Sequence, residues 1–105
     1  LPGIRFSPVS FTPASSKYKD EPCQGVFMVV TDREAVRPVR VGLEILSALR
    51  RLHGDRLDLG NTARLYGSAG QLTALREGED PDRIAASWNA GEAAWRLLRA
   101  KYLLY

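Results

Sequence analysis

The chain has 105 residues, 45% of them hydrophobic and 26% charged, and carries a net charge of +3 from 15 basic and 12 acidic side chains. That length suits one domain with one core, and the composition excludes intrinsic disorder. The longest apolar run, Val26 to Val30, is far short of the roughly 18 residues that cross a bilayer, and the 12 Arg and three Lys are scattered rather than gathered into the basic run of a nucleic-acid surface.

Leu1-Pro2-Gly3 opens the chain without an initiator Met or a secretory leader pattern, which reads as a processed or trimmed boundary. From Ile4 to Tyr18 a short pattern recurs, Phe6-Ser7-Pro8 and then Phe11-Thr12-Pro13. The odd spacing predicts that Phe6 and Phe11 fall on opposite faces of a strand, and Pro8 predicts an edge strand with a bulge. A polar loop is expected over residues 14–22. Gln24 to Thr31 is apolar at both parities and β-branched, the pattern of a central strand covered on both faces.

Pro38 suits a first helical turn, and the polar residues Arg40, Glu44, Ser47 and Arg51 mark one wet stripe on a helix ending at His53, with Gly54 as its stop. Val39, Gly42, Leu43, Leu46, Leu49 and Leu52 are then the expected buried side. The segment 55–70 is irregular, with a short strand expected at residues 57–59 and a helix over residues 68–77. Asp80-Pro81 predicts another helix start. After it Ile84, Trp88, Gly91, Trp95, Leu98 and Tyr102 share one helical face, with Asn89 as a possible break. Trp88 and Trp95 are expected in the core, and the apolar ending Tyr102-Leu103-Leu104-Tyr105 is expected to dock. These elements predict an α+β fold, a small mixed or antiparallel sheet packed against three to four helices in a single domain.

Catalytic chemistry is hard to assemble from these residues. A nucleophile needs a base, and His53 is the only histidine; Cys23 is the only cysteine, so neither a triad nor a zinc site can be built. Gly67-Ser68-Ala69-Gly70 lacks the lysine of a phosphate cradle. The acidic cluster Glu77, Glu79, Asp80 and Asp82 sits at a helix junction, where capping explains it. Asp32 and Glu34 follow the apolar strand, and Asp32 suits a turn cap more than half of a carboxylate pair. Phe11 and Tyr18 fit core packing and sugar stacking equally well, while Phe6 and Cys23 fit the core.

The segments LPGIRFSPVSFTPASSKY, Cys23-x-Gly25, Thr31 to Glu34, RPVRVGLEILSALRRL from Arg37 to Leu52, and the terminal W-R-L-L-R-A-K-Y-L-L-Y together resemble the C-terminal domain of the NamZ-type exo-β-N-acetylmuramidases, once a domain of unknown function. Residues matching that pattern are Phe6, Pro8, Phe11, Pro13, Ser16, Lys17, Cys23, Gly25, Asp32, Arg33, Pro38, Val39 and Gly42. Trp95, Ala63 and Tyr66 depart from it. The resemblance implies a preceding Rossmann-like catalytic domain that carries the carboxylates, release of N-acetylmuramic acid from peptidoglycan fragments in cell-wall recycling, and a cleft between the two domains. The parent protein is expected in the periplasm or outside the cell, with the cytoplasm left open, and no cofactor or metal is expected.

On this basis the domain is expected to form one wall of an amino-sugar or muropeptide cleft without being catalytic itself. Phe11, Ser16, Lys17, Tyr18, Asp32 and Arg33 are the expected substrate contacts, with a cation pairing with the lactyl carboxylate of muramic acid. The competing expectations are a protein-interaction module that uses the Pro and aromatic segment, and weak nucleic-acid binding through scattered arginines.

Overall fold

The computed structural model describes residues 1–59 and 62–104, apart from the side chains of Asp55 and Ala63. It is a small α+β domain whose elements run β1 (Ile4–Phe11), β2 (Cys23–Val30), α1 (Pro38–His53), α2 (Ala63–Tyr66), α3 (Ala69–Arg76), α4 (Pro81–Ala86) and α5 (Asn89–Ala100). The chain divides into two compact units, Leu1–Val41 and Gly42–Tyr105.

In the first unit β1 and β2 pair antiparallel in unbroken register, from Ile4 opposite Val30 to Phe11 opposite Cys23. Cross-strand partners share a face of the sheet. Ile4, Phe6, Pro8, Val26, Met28 and Val30 therefore line one side, and Arg5, Ser7, Val9, Phe11, Cys23, Gly25, Phe27 and Val29 the other. Phe6 and Phe11 do point oppositely, but the register leaves no room for the expected bulge. Nor is β2 central: the described sheet has two strands, so each is an edge, and Val26 to Val30 are all exposed. A strand with one neighbour keeps half its backbone groups outward, which is why Pro8 is tolerated.

Gly3 ties the sheet to the turn that follows it. Its carbonyl accepts from Thr31 N at 2.8 Å and Asp32 N at 3.2 Å. Its φ is +77°, and a Cβ there would lie 2.5 Å from Asp32 O and 2.6 Å from Val36 N. Both the left-handed backbone and the close approach demand glycine.

The second unit holds the core. Leu43, Leu59, Leu72, Leu75 and Ile84 are buried together, with Leu46, Leu57, Tyr66, Ala74, Ala85 and Trp88 packed around them. Leu57 and Leu59 reach it from a 3₁₀ turn at Gly54–Arg56 and an extended stretch rather than from the expected strand. The helix boundaries follow local chemistry. Ser68 Oγ accepts from Gln71 N at the start of α3, and Asp80 Oδ1 accepts from Asp82 N at 2.8 Å with Pro81 in the first turn of α4. At the end of α3, Gly78 N donates to Leu75 O and Glu79 N to Ala74 O. Gly78 has φ +82°, which completes a Schellman stop.

Two helical faces differ from the sequence pattern. On α1, Leu43 and Ser47 are buried while Val39 and Leu52 are exposed, because the side turned to α3 is the one that carries Arg50, whose Nε donates to Arg76 O at 3.0 Å. The break expected at Asn89 falls just before it, at Ser87 and Trp88 between α4 and α5, and only the first part of the expected face is covered. Ile84 is buried and Trp88 half-buried, whereas Trp95 is 59% exposed and nothing on α5 is buried. Tyr102 to Leu104 are exposed and form no strand; Tyr105 lies outside the described residues.

Candidate functional site

The six residues expected at a ligand site all lie in the first unit, at opposite ends of its sheet. Phe11 closes β1, and Ser16, Lys17 and Tyr18 belong to the connection that leads to Cys23. Asp32 and Arg33 follow Val30 at the other end. Seven residue steps at about 3.4 Å each separate the two ends by roughly 24 Å, more than one sugar spans. The structure places the first four at one end of the hairpin and the last two at the other.

The connection is a folded loop. Asp20 N donates to Pro13 O at 2.8 Å, Lys19 N to Ser16 O at 3.3 Å and Glu21 N to Tyr18 O at 3.0 Å. Ser16, Tyr18 and Asp20 all adopt left-handed backbone, at φ 66°, 61° and 63°. A non-glycine residue there costs about 1–2 kcal/mol, so the loop spends stability on its shape. Lys17 Nζ stands 5.3 Å from the centroid of the Tyr18 ring, a cation–π contact. Tyr18 is 57% exposed and Phe11 49%. Aromatic faces and an ammonium group at a solvent-open end of a hairpin can bind a ligand that is apolar on one side and anionic on another.

The Asp32 end serves the backbone. Asp32 Oδ1 accepts from Glu34 N at 3.0 Å and Asp32 O from Val36 N at 3.1 Å, while Arg37 Nη1 donates to Glu34 O at 2.8 Å. Asp32 is thus the turn cap that its position after a strand suggests. Arg33 is exposed within that turn.

The second unit contains a recess of about 360 Å³ that sequence reasoning missed, lined by Glu44, Ser47, Arg50, Glu79 and Asp80 among others. The sequence carried no signal for it, because Ser47 falls on the polar stripe of α1. Charges of both signs line it, and the Arg50 guanidinium lies against Gly78 while its Nε caps α3. Elsewhere Cys23 is half-buried, its Sγ donating to Glu21 O at 3.4 Å. His53 is exposed in the last turn of α1 beside Arg50 and Arg51. Tyr66 donates to Gln71 Oε1 at 2.9 Å, and burial pushes its phenol above the usual value of 10.0. Among the described residues no three His, Cys, Asp or Glu gather as metal ligands, and no helix is long and apolar enough to cross a membrane.

The fold defines a small α+β domain, a two-stranded antiparallel sheet followed by helices. The crystal structure of a DUF1343 family protein from Bacteroides fragilis NCTC 9343 matches it with a TM-score of 0.66 at 24% identity, over 100% of this chain and 29% of that one. Residues 1–105 match the family described as "Exo-beta-N-acetylmuramidase NamZ, C-terminal", and the chain belongs to that family. It is 32% identical over 108 residues to the peptidoglycan beta-N-acetylmuramidase NamZ of Bacillus subtilis (strain 168). The match covers 100% of this chain and 26% of that protein, so the chain spans about a quarter of its relative's length.

Proposed function

We propose that this domain is the non-catalytic C-terminal part of a peptidoglycan β-N-acetylmuramidase and contributes amino-sugar contacts from the loop between β1 and β2. The chemistry then belongs to a preceding catalytic domain of the same polypeptide, the domain's partner, acting on cell-wall fragments outside the cytoplasm during wall recycling. The apolar row Ile4, Phe6, Pro8, Val26, Met28 and Val30 is the surface available to that partner. The observation that carries the ligand assignment is the Lys17 and Tyr18 pair in its strained loop. Strain of this kind persists where geometry matters to function, and an ammonium group so placed can pair with the lactyl carboxylate of muramic acid.

Two measurements test this. A chromogenic N-acetylmuramide incubated with the 105-residue chain alone should show no turnover; hydrolysis by this chain would refute the non-catalytic role. In the full-length protein Lys17→Ala should raise KM about tenfold, the loss of one charge-assisted hydrogen bond. Arg33→Ala should change KM by less than about twofold, the size of a contact not made to the same sugar. Equal effects of the two would place Asp32 and Arg33 back in one site with Lys17.

A further inference from the structure

Gly25 lies inside β2, where extended backbone accepts any residue. Glycine in a strand interior is a cost unless something occupies the space it leaves. Here the occupant is Phe11: a Cβ at Gly25 would sit 2.8 Å from Phe11 Cε1 and 3.6 Å from Cζ. The two residues share a face of the sheet, two register positions apart, Phe11 being paired with Cys23 and Gly25 with Val9. The ring therefore leans from the end of β1 across the bare backbone of β2.

Burial does not explain that arrangement, because Phe11 remains 49% exposed. The other aromatic of the repeated pattern provides an internal control. Phe6 lies on the opposite face, paired with Met28, with Val26 and Val30 rather than glycine as the flanking β2 residues of that face. Phe11 is also the residue at which the chain enters the loop, and the bond from Asp20 N to Pro13 O folds that loop back to within two residues of the ring.

We propose that Gly25 is a positioning residue that lays the Phe11 ring across the strand pair as an open platform for the apolar C–H face of a pyranose. The substituent of that sugar facing Lys17 is anionic. The inference rests on the amino-sugar reading above and deepens it, making the glycine a determinant of sugar affinity although it touches no ligand.

The test uses the full-length protein and a chromogenic N-acetylmuramide, with KM, kcat and the thermal midpoint measured for Gly25→Ala, Phe11→Leu, Phe11→Tyr and the double variant Gly25→Ala/Phe11→Leu. Gly25→Ala and Phe11→Leu should each raise KM about fivefold to tenfold, the scale of one aromatic contact, with kcat nearly constant. Phe11→Tyr, which keeps the ring, should retain the parent KM. The double variant should match Phe11→Leu rather than multiply the two effects, because the glycine acts through the ring. Multiplying effects, or an unchanged KM in Phe11→Leu at an unchanged midpoint, overturns the platform alone. A parent protein inactive on every muramide overturns the functional reading and the platform with it.

Discussion

The two units stabilise themselves by different means. In the second, five side chains from α1, α3, α4 and the stretch before α2 close on one another. In the first, Val26 to Val30 stay exposed, and order comes from the strand ladder and from the clasp of Gly3 on residues 31, 32 and 36. Apolar sequence therefore marks the core in one unit and an uncovered surface in the other. The largest expected effect follows directly. Leu75→Ala should cost about 2–5 kcal/mol of unfolding free energy, since a fully buried leucine loses both its transfer energy and its cavity walls. Phe27→Ala, a larger truncation on the 60% exposed ring of β2, should cost less than about 1 kcal/mol. Urea unfolding of the chain measures both, and equal losses would mean that β2 is covered.

An intermediate effect is expected where the first unit depends on backbone alone. Gly3→Ala adds one carbon, yet that carbon meets Asp32 O at 2.5 Å in left-handed backbone, so a loss of about 1–3 kcal/mol is expected. Amide exchange locates the damage: Thr31 N, bonded to Gly3 O, should lose protection, while amides of α3 keep theirs. Uniform loss across both units would show instead that the clasp supports the whole chain.

These differences also set what could be read from sequence. Helix ends were legible because Ser68, Asp80, Pro81 and Gly54 signal through chemistry within a few residues of themselves. The strand positions and the opposed faces of Phe6 and Phe11 followed from the two-residue period. Burial was not legible, because it depends on neighbours far along the chain. Ser47 looked wet and is 7% exposed, whereas Trp95 looked like core and is open. Of the candidate site, the residue types were legible but not their placement. Residue type pointed to Lys17, Tyr18 and Phe11, but only the antiparallel register separates them from Asp32 and Arg33, and nothing in the residue string tied Gly25 to a ring fourteen positions before it.

The smallest expected effect probes the second unit through the displaced ionisation of Tyr66. Tyr66 sits against the core, and burial raises its phenol above 10.0 in the folded chain. Below the unfolded value the group is neutral in both states and its contribution is fully present. As pH climbs past 10.0 the unfolded chain releases the proton first, so the folded state binds more protons and stability falls until the folded phenol ionises as well. Tyr66→Phe lacks both this titration and the bond to Gln71, worth about 1 kcal/mol. The wild type should therefore lead the variant in urea unfolding at neutral pH, and that lead should shrink as pH rises through 10.0 and beyond. A lead that does not shrink there would mean that the ionised phenol is as well accommodated in the fold as in water, which its half-buried position against Leu-rich packing opposes. Because Tyr66 belongs to the second unit, the alkaline loss should appear first in amides of α2 and α3 and leave Thr31 protected, dividing the molecule along the same line as the two larger effects.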